Sequence, residues 1–281
     1  GVLVAGTGAK GAQRWLEIGG FRFQPSEIMK LIMPLATAWY LADRVLPPRI
    51  KVVGLSMLIA LIPAVLIFRQ PDLGTAILVA ASGLFCLFFA GLSWRYIAAA
   101  GALGAVAAPV MWFFVMHEYQ KRRVLTMLDP EADRLGAGWN IIQSMTAIGS
   151  GGIEGKGYLQ GSQSALNFLP ESHTDFIIAV LAEEFGLIGV VGLLLLYMLI
   201  LVRGMVIGMS AQTTFARLVA GAITMTFFVY VVVNMGMVSG ILPVVGVPLP
   251  LVSQGGTSLV TLMMGFGILM AISTEQRRLA N

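Results

Sequence analysis

Charge is what this sequence has least of. Of its 281 residues 11% are Asp, Glu, Lys or Arg and 57% are hydrophobic, with a mean hydropathy of +0.85. A soluble domain carries roughly 25% charged residues. This chain cannot cover itself with a water-compatible surface, so its composition points to a membrane. Cysteine is nearly absent: Cys86 stands alone in an apolar run, which excludes an internal disulfide and tells nothing of compartment. The two histidines, His117 and His173, are far apart, and no His/Cys spacing suits zinc. No Gly-rich loop runs into Lys-Ser/Thr, so ATP use has no support, and no Ser-His-Asp set is identifiable by spacing. Despite a net charge of +4, no basic patch interleaves with aromatics, which argues against nucleic acid as a partner. Carboxylates could still hold Mg²⁺ or Mn²⁺ with a phosphate, so no cofactor is certain.

What is present is a series of apolar runs, each near the roughly 20 residues a spanning helix needs. Seven are read: 26–43, 52–68, 73–91, 96–116, 176–202, 213–237 and 255–273. Residues 1–5 read as the end of an earlier span, so spans are expected before residue 1. The expected fold is an all-α polytopic bundle, a single membrane domain over 1–281. Pro34, Pro63 and Pro109 fall inside spans, where neighbouring helices can satisfy the freed carbonyls. Three segments are too polar or too rich in glycine to span: 6–25, 117–175 and 238–254, all on one side. The opposite short loops and the tail carry Arg44, Arg49, Lys51, Arg95, Arg203, Arg277 and Arg278, so they are assigned to the cytoplasm. The outer segments nevertheless hold Lys10, Arg14, Arg22, Lys121, Arg122, Arg123, Arg134 and Lys156. These are either a solvated surface or an electropositive face for an anionic substrate such as a lipid diphosphate.

The segment 117–175 is too long for a linker, since unstructured loops beyond roughly 15 residues are uncommon. Trp139, Ile141, Ile142, Met145, Ile148, Leu166 and Phe168 are spread through it, so it reads as ordered. Residues 139–149 suit an amphipathic helix at the membrane surface, and Gly149-Ser150-Gly151-Gly152 can take left-handed backbone conformations. The segment reads as a lid over an outward-facing cavity.

Ionisable residues within or beside spans are costly and usually functional. In Pro170-Glu171-Ser172-His173-Thr174-Asp175-Phe176, Asp175 sits where the long loop enters a span. It could cap that helix or serve as a general base at the mouth of a cavity. Glu171 and His173 join it as substrate-binding candidates. In Phe23-Gln24-Pro25-Ser26-Glu27-Ile28-Met29-Lys30, Pro25 and Ser26 mark a helix start, and Glu27 and Lys30 share one face. They form either an internal ion pair or, with Arg22 and Gln24, a cluster that orients a phosphate. In Arg69-Gln70-Pro71-Asp72-Leu73-Gly74-Thr75, Asp72 reads first as a helix cap. Glu183 and Glu184 lie two turns into a span, and at least one should face the protein interior. The segment 238–254, apolar yet dense in Pro and Gly, suggests a re-entrant or cavity-lining stretch.

These motifs, in this order, resemble the SEDS family (shape, elongation, division and sporulation). Its signatures match Phe23–Glu27 with Lys30, Gln70–Thr75, Ala147–Gly152, Leu169–Phe176, and Gly246–Pro250 with Ser253–Gly256. Within the family the elongation branch is matched better than the division branch. One departure is Gln254, where relatives often carry an aromatic. The resemblance implies ten membrane helices, about three of them before residue 1. It implies a peptidoglycan glycosyltransferase of the bacterial inner membrane with its active site facing the periplasm. The substrate would be lipid II. The partners would be a class B penicillin-binding protein, other membrane proteins of the elongation complex and membrane lipid. The family's essential aspartate falls on Asp175, and its other important polar positions on Arg22, Gln24, Glu27, Lys30 and Asp72.

On that reading Asp175 is the base. Arg22, Lys30 and Lys156, or a divalent cation, would stabilise the departing diphosphate. Two other classes fit the composition: a transporter that flips lipid II, and a non-catalytic scaffold for the penicillin-binding protein. Ionisable clusters near the outer interface disfavour the first, and a scaffold leaves Asp175, Glu27 and Lys30 without a task.

Overall fold

The computed structural model describes residues 7–9, 12–18, 21–134, 136–162 and 171–279. At 7–9, 12–14, 18, 21, 22, 119, 137 and 276–279 it describes the backbone alone. Residues 1–5 and the 163–170 part of the long loop, with Leu166 and Phe168, lie outside the described residues. Helices dominate: α1 (Pro25–Ala42), α2 (Ile50–Phe68), α3 (Leu73–Phe89), α4 (Trp94–Val110), α5 (Glu118–Leu128), α6 (Ala137–Gly151), α7 (Ile177–Ser210), α8 (Thr214–Val238) and α9 (Gly256–Leu279). A π-helical turn, Met111–Val115, extends α4 just beyond Pro109.

Each of the seven expected spans has its helix. Five are long and apolar enough to cross a membrane on those grounds alone. The other two differ for physical reasons. Helix α3 has only 17 residues, and α1 carries Ser26, Glu27 and Lys30 in its first turns. The segment 6–25 departs from the all-α expectation. It forms a small antiparallel sheet of β1 (Thr7–Ala9), β2 (Ala12–Ile18) and β3 (Phe21–Phe23), in that order. Its register includes Thr7 with Trp15 and Glu17 with Arg22. No period-2 alternation long enough to announce these strands exists in so short a segment.

The chain, read from its sequence as one membrane domain, divides into two compact units: 1–92 with 199–230 and 255–281, and 93–198 with 231–254. The first is a bundle of close-packed helices. Its core gathers Leu41, Cys86, Leu87, Leu218, Val219 and Ala222, all nearly inaccessible. Lipid tails are as apolar as leucine, so tight packing has to hold such helices together, and small residues allow it. At Gly83 on α3, an added Cβ would overlap the Ala60 side chain of α2, and at Gly204 it would overlap Thr224.

The second unit contains α4, α5, α6 and the start of α7. None of the residues of α4 is buried. The amphipathic helix expected near 139–149 is α6, and Gly152 (φ +58) ends it in the left-handed conformation anticipated for that glycine run. Ser144 Oγ bonds the Val238 carbonyl at 2.8 Å, and Ile141 and Ala147 are buried. Helix α7, expected to be continuous, breaks at Gly186 (φ 62, ψ −161). A break in lipid must have its freed backbone groups satisfied from within the protein. The loop after α6 does this. The Lys156 and Gly157 amides donate to the Glu183 and Glu184 carbonyls at 3.0 and 2.9 Å. The Leu187 and Ile188 amides donate to the Gly152 and Ile153 carbonyls at 3.0 and 3.2 Å.

The packing at Gly83 can be tested. Gly83→Leu should cost about 1–3 kcal/mol of stability by overpacking. Gly54→Leu on α2, where an added Cβ meets nothing within 4 Å, should cost little. Equal melting temperatures for the two variants in detergent would contradict this account of the α2–α3 contact.

Candidate active site

Two polar centres take shape, one in each unit. The first is built where α1 and α3 begin. Pro25 occupies the first position of α1, where its missing N–H has no helical partner to lose. That fixes Gln24 as the preceding extended residue (φ −106, ψ 109). Its side-chain amide donates to Ser26 Oγ at 2.9 Å and to Asp72 Oδ2 at 2.8 Å. Asp72 does two things: its Oδ1 caps α3 by accepting from the Thr75 amide at 3.2 Å, while Oδ2 holds Gln24. Capping, the bland reading of Asp72, is correct, and the carboxylate also ties two helix starts together.

One turn further along α1, Lys30 Nζ lies 2.6 Å from Glu27 Oε1, and both residues are buried. Lys30 also donates to the Tyr230 hydroxyl and sits 4.7 Å from the centre of that ring. Glu27 Oε2 has no hydrogen-bond partner among the described residues. A small cavity of about 30 Å³, lined by Lys30, Thr226, Phe227, Tyr230 and Thr261, opens beside the pair. It is on the scale of a single water. Arg22, expected in this cluster, is on β3, and its side chain lies outside the described residues. Tyr230 was not anticipated, because a lone tyrosine 200 positions from Lys30 in an apolar run gives no local signal.

The second centre surrounds Asp175. Residues 171–176 form consecutive turns before α7. Glu171 adopts a left-handed backbone (φ 57), a costly state for a residue with a side chain and one that gathers at functional sites. Its carbonyl accepts from the Thr174 and Phe176 amides at 3.1 and 3.2 Å, and its carboxylate from the Thr174 hydroxyl at 2.9 Å. Phe176 is buried and anchors the turn, whereas Glu171 and His173 are exposed and Asp175 is half-buried. The apolar, Pro- and Gly-rich segment 239–254 lies against these residues. Gly246 (φ +70) comes so close to Asp175 that a Cβ there would stand 3.4 Å from Oδ2. Asn234 on α8 donates to the Asp175 carbonyl at 2.8 Å. Asn234 is a lone amide in an apolar span and gives no local signal of this contact.

Lys156, expected beside the substrate diphosphate, is held within the second unit. Its ammonium lies 2.7 Å from Glu183 Oε1 and 2.9 Å from Ser162 Oγ, and Glu183 is fully buried. Glu183 also accepts from the Ser162 amide at 2.9 Å. Glu184 is buried as well, so both carboxylates of the pair face inward. Among the described residues no three His, Cys, Asp or Glu side chains gather as a metal cage.

The fold and these centres define a multi-pass membrane protein with a braced carboxylate at the start of a broken helix. Comparison with known proteins gives this class its family. The family model FTSW_RODA_SPOVE, described as "Cell cycle protein", matches residues 1–278, and the chain belongs to that family. It is 58% identical to the peptidoglycan glycosyltransferase MrdB of Escherichia coli K12, over 97% of this chain and 74% of that protein. It is 38% identical to the probable peptidoglycan glycosyltransferase FtsW of Geobacter sulfurreducens, over 98% of this chain and 74% of that protein. Among solved structures it resembles a chain of a peptidoglycan synthase complex, studied for the coordination of polymerization and crosslinking. The TM-score is 0.83 and the identity 33%, over 98% of this chain and 77% of that chain. It also resembles the rod shape-determining protein RodA of Thermus thermophilus, with a TM-score of 0.69 and 30% identity over 98% of this chain and 73% of that one.

The buried pair is open to a direct test. Removing one member of a buried ion pair strands the other, at a cost of about 3–5 kcal/mol. Lys30→Met should therefore lower the melting temperature in detergent more than the double variant Glu27→Gln/Lys30→Met. A double variant less stable than the single one would show that the two residues do not stabilise each other.

Proposed function

We propose that this chain is a peptidoglycan glycosyltransferase that polymerises lipid II on the outer face of the bacterial inner membrane, in the elongation that maintains rod shape. The observation that carries the reading is its 58% identity, across nearly its whole length, to a protein named for that activity. The braced position of Asp175 supplies the chemistry.

In the reaction the 4-hydroxyl of an acceptor sugar attacks the anomeric carbon of a sugar linked to a membrane-bound diphosphate. The new C–O bond forms as the anomeric C–O bond to the diphosphate breaks, and the lipid diphosphate leaves with that electron pair. An α-linked donor giving a β-1,4 product requires inversion, hence one in-line displacement. Asp175 accepts the hydroxyl proton as general base, worth about 10²–10⁴-fold in rate. Its half-buried setting keeps it accessible to substrate while its backbone stays fixed. Glu171 and His173, exposed on the same turn, are available to the bound sugar. This reading assigns the positive charge of Arg22 and Lys30 to the diphosphate; Lys30 is buried, so its charge would act through the protein and not by contact. Glu27 and Tyr230 fix the Lys30 ammonium at one point, and Gln24 with Asp72 fixes the start of the helix that carries it. Lys156 acts on this reading through Glu183 and Ser162, as a strut beneath the segment that follows Asp175. The likeness to a chain of a complex that joins polymerization to crosslinking supports a crosslinking partner, a class B penicillin-binding protein.

Polymerisation of labelled lipid II in detergent, by the full-length protein with its partner, separates this reading from a flippase because no bilayer remains to cross. Asp175→Asn should fold normally and lose about 10²–10⁴-fold in rate. Normal polymerisation by Asp175→Asn would remove Asp175 as the base. No polymer from wild type, together with lipid II crossing liposome membranes, would establish the transporter instead.

A further inference from the structure

The turn that carries Asp175 has no regular structure to hold it. A base that must meet a sugar hydroxyl within hydrogen-bond reach cannot be left on a loose turn, since a misplacement of about 1 Å can cost 10²-fold in rate. Its support comes from far along the chain. Three consecutive carbonyls, those of His173, Thr174 and Asp175, each accept a hydrogen bond from the end of α8 or the segment after it. The donors are the Gln254 amide at 2.9 Å, Ser253 Oγ at 2.5 Å and Asn234 Nδ2 at 2.8 Å.

We infer that Asn234 and Ser253 are positioning residues for Asp175, acting as two side-chain staples that fix its backbone and place Gly246 against its carboxylate. The inference rests on the reading of Asp175 as the base. Each staple joins two stretches of backbone. The Asn234 amide nitrogen donates to the Asp175 carbonyl and, at 2.7 Å, to the Val247 carbonyl. The Ser253 hydroxyl donates to the Thr174 carbonyl and accepts from the Leu249 amide at 2.7 Å. Val247 and Leu249 are both buried, so each staple also reaches a fixed point. Gly246 directly precedes Val247. Stapling Val247 to Asp175 therefore sets how closely Gly246 approaches Asp175 Oδ2, where a Cβ would already be in contact at 3.4 Å. With the Asp175 carbonyl held, its side chain projects from a fixed backbone, with Gly246 beside the carboxylate. Tyr197 completes the frame by donating from its hydroxyl to the Pro250 carbonyl at 2.7 Å.

The chemistry of Asn234 favours this role over packing. It is fully buried, and its Oδ1 has no hydrogen-bond partner among the described residues. A site that needed only filling would be served better by leucine, since an unpaired buried acceptor is destabilising. Two carbonyl acceptors require an amide nitrogen, which aspartate lacks and leucine cannot replace.

The test is steady-state polymerisation of labelled lipid II by the full-length protein with its partner, measuring kcat and KM separately alongside the melting temperature. Ser253→Ala should lower kcat about tenfold or more, with KM within roughly twofold of wild type. Its melting temperature should stay close to wild type, and Ser253→Thr, which keeps the hydroxyl, should recover most of kcat. Asn234→Asp, which turns an oxygen toward two carbonyls, should lower kcat further. If that buried substitution prevents folding, the Ser253 pair decides alone. Wild-type kcat in Ser253→Ala, or equal loss in Ser253→Ala and Ser253→Thr, would overturn the inference. Asp175→Asn measured beside them separates the two ideas. If it is active, the assignment of the base has failed. If it is inactive while Ser253→Ala is normal, only the staples have.

Discussion

A bilayer core offers no water, so each backbone or side-chain polar group placed there must find its partner inside the protein. That constraint explains most of what is unusual in this chain. Asp72 uses one carboxylate oxygen on a helix end and the other on Gln24. Lys30 is surrounded by Glu27 and the Tyr230 hydroxyl and ring. The break in α7 persists because a loop from beyond α6 supplies the missing backbone bonds. Where a soluble protein would leave such groups to solvent, this one pairs these within the fold.

The same constraint makes the catalytic reading more than a residue assignment. A carboxylate expected to take a proton from a substrate must remain accessible to it. The structure meets both demands by dividing the work. The carbonyls around Asp175 are tied down one after another, while the side chain stays half-exposed. On the proposed reading, rigidity sits in the backbone and reactivity in the side chain.

Much of this was legible in the sequence because a spanning helix declares itself by length and apolarity alone. All seven runs have their helices, with bounds differing by a few residues except at the end of α7 and α9. The Glu27–Lys30 pair followed from their spacing on one helix, and the cap at Asp72 from its place before Leu73. What stayed hidden depends on pairings across long stretches of chain. The strands at 7–23 are too short for periodicity to register. The break at Gly186 looks, in sequence, like any glycine of a membrane helix. Tyr230 and Asn234 are single polar residues in apolar runs, and only the fold brings them to Lys30 and Asp175. Lys156 was expected at the substrate diphosphate, because its partner, Glu183, is 27 residues away and gives no local signal.

The interruption of α7 has a mechanical consequence. A continuous helix is a lever: a tilt anywhere along its 34 residues would swing its first turn, and with it the carboxylate just ahead of that turn. Gly186 cuts the lever after its first nine residues. The short stub from Ile177 to Phe185 is gripped through its own carbonyls and through Glu183 by the loop at 152–162. The loop also holds the Leu187 and Ile188 amides beyond the break, so both sides of the interruption, and with them the backbone just after Asp175, are referred to one local bracket.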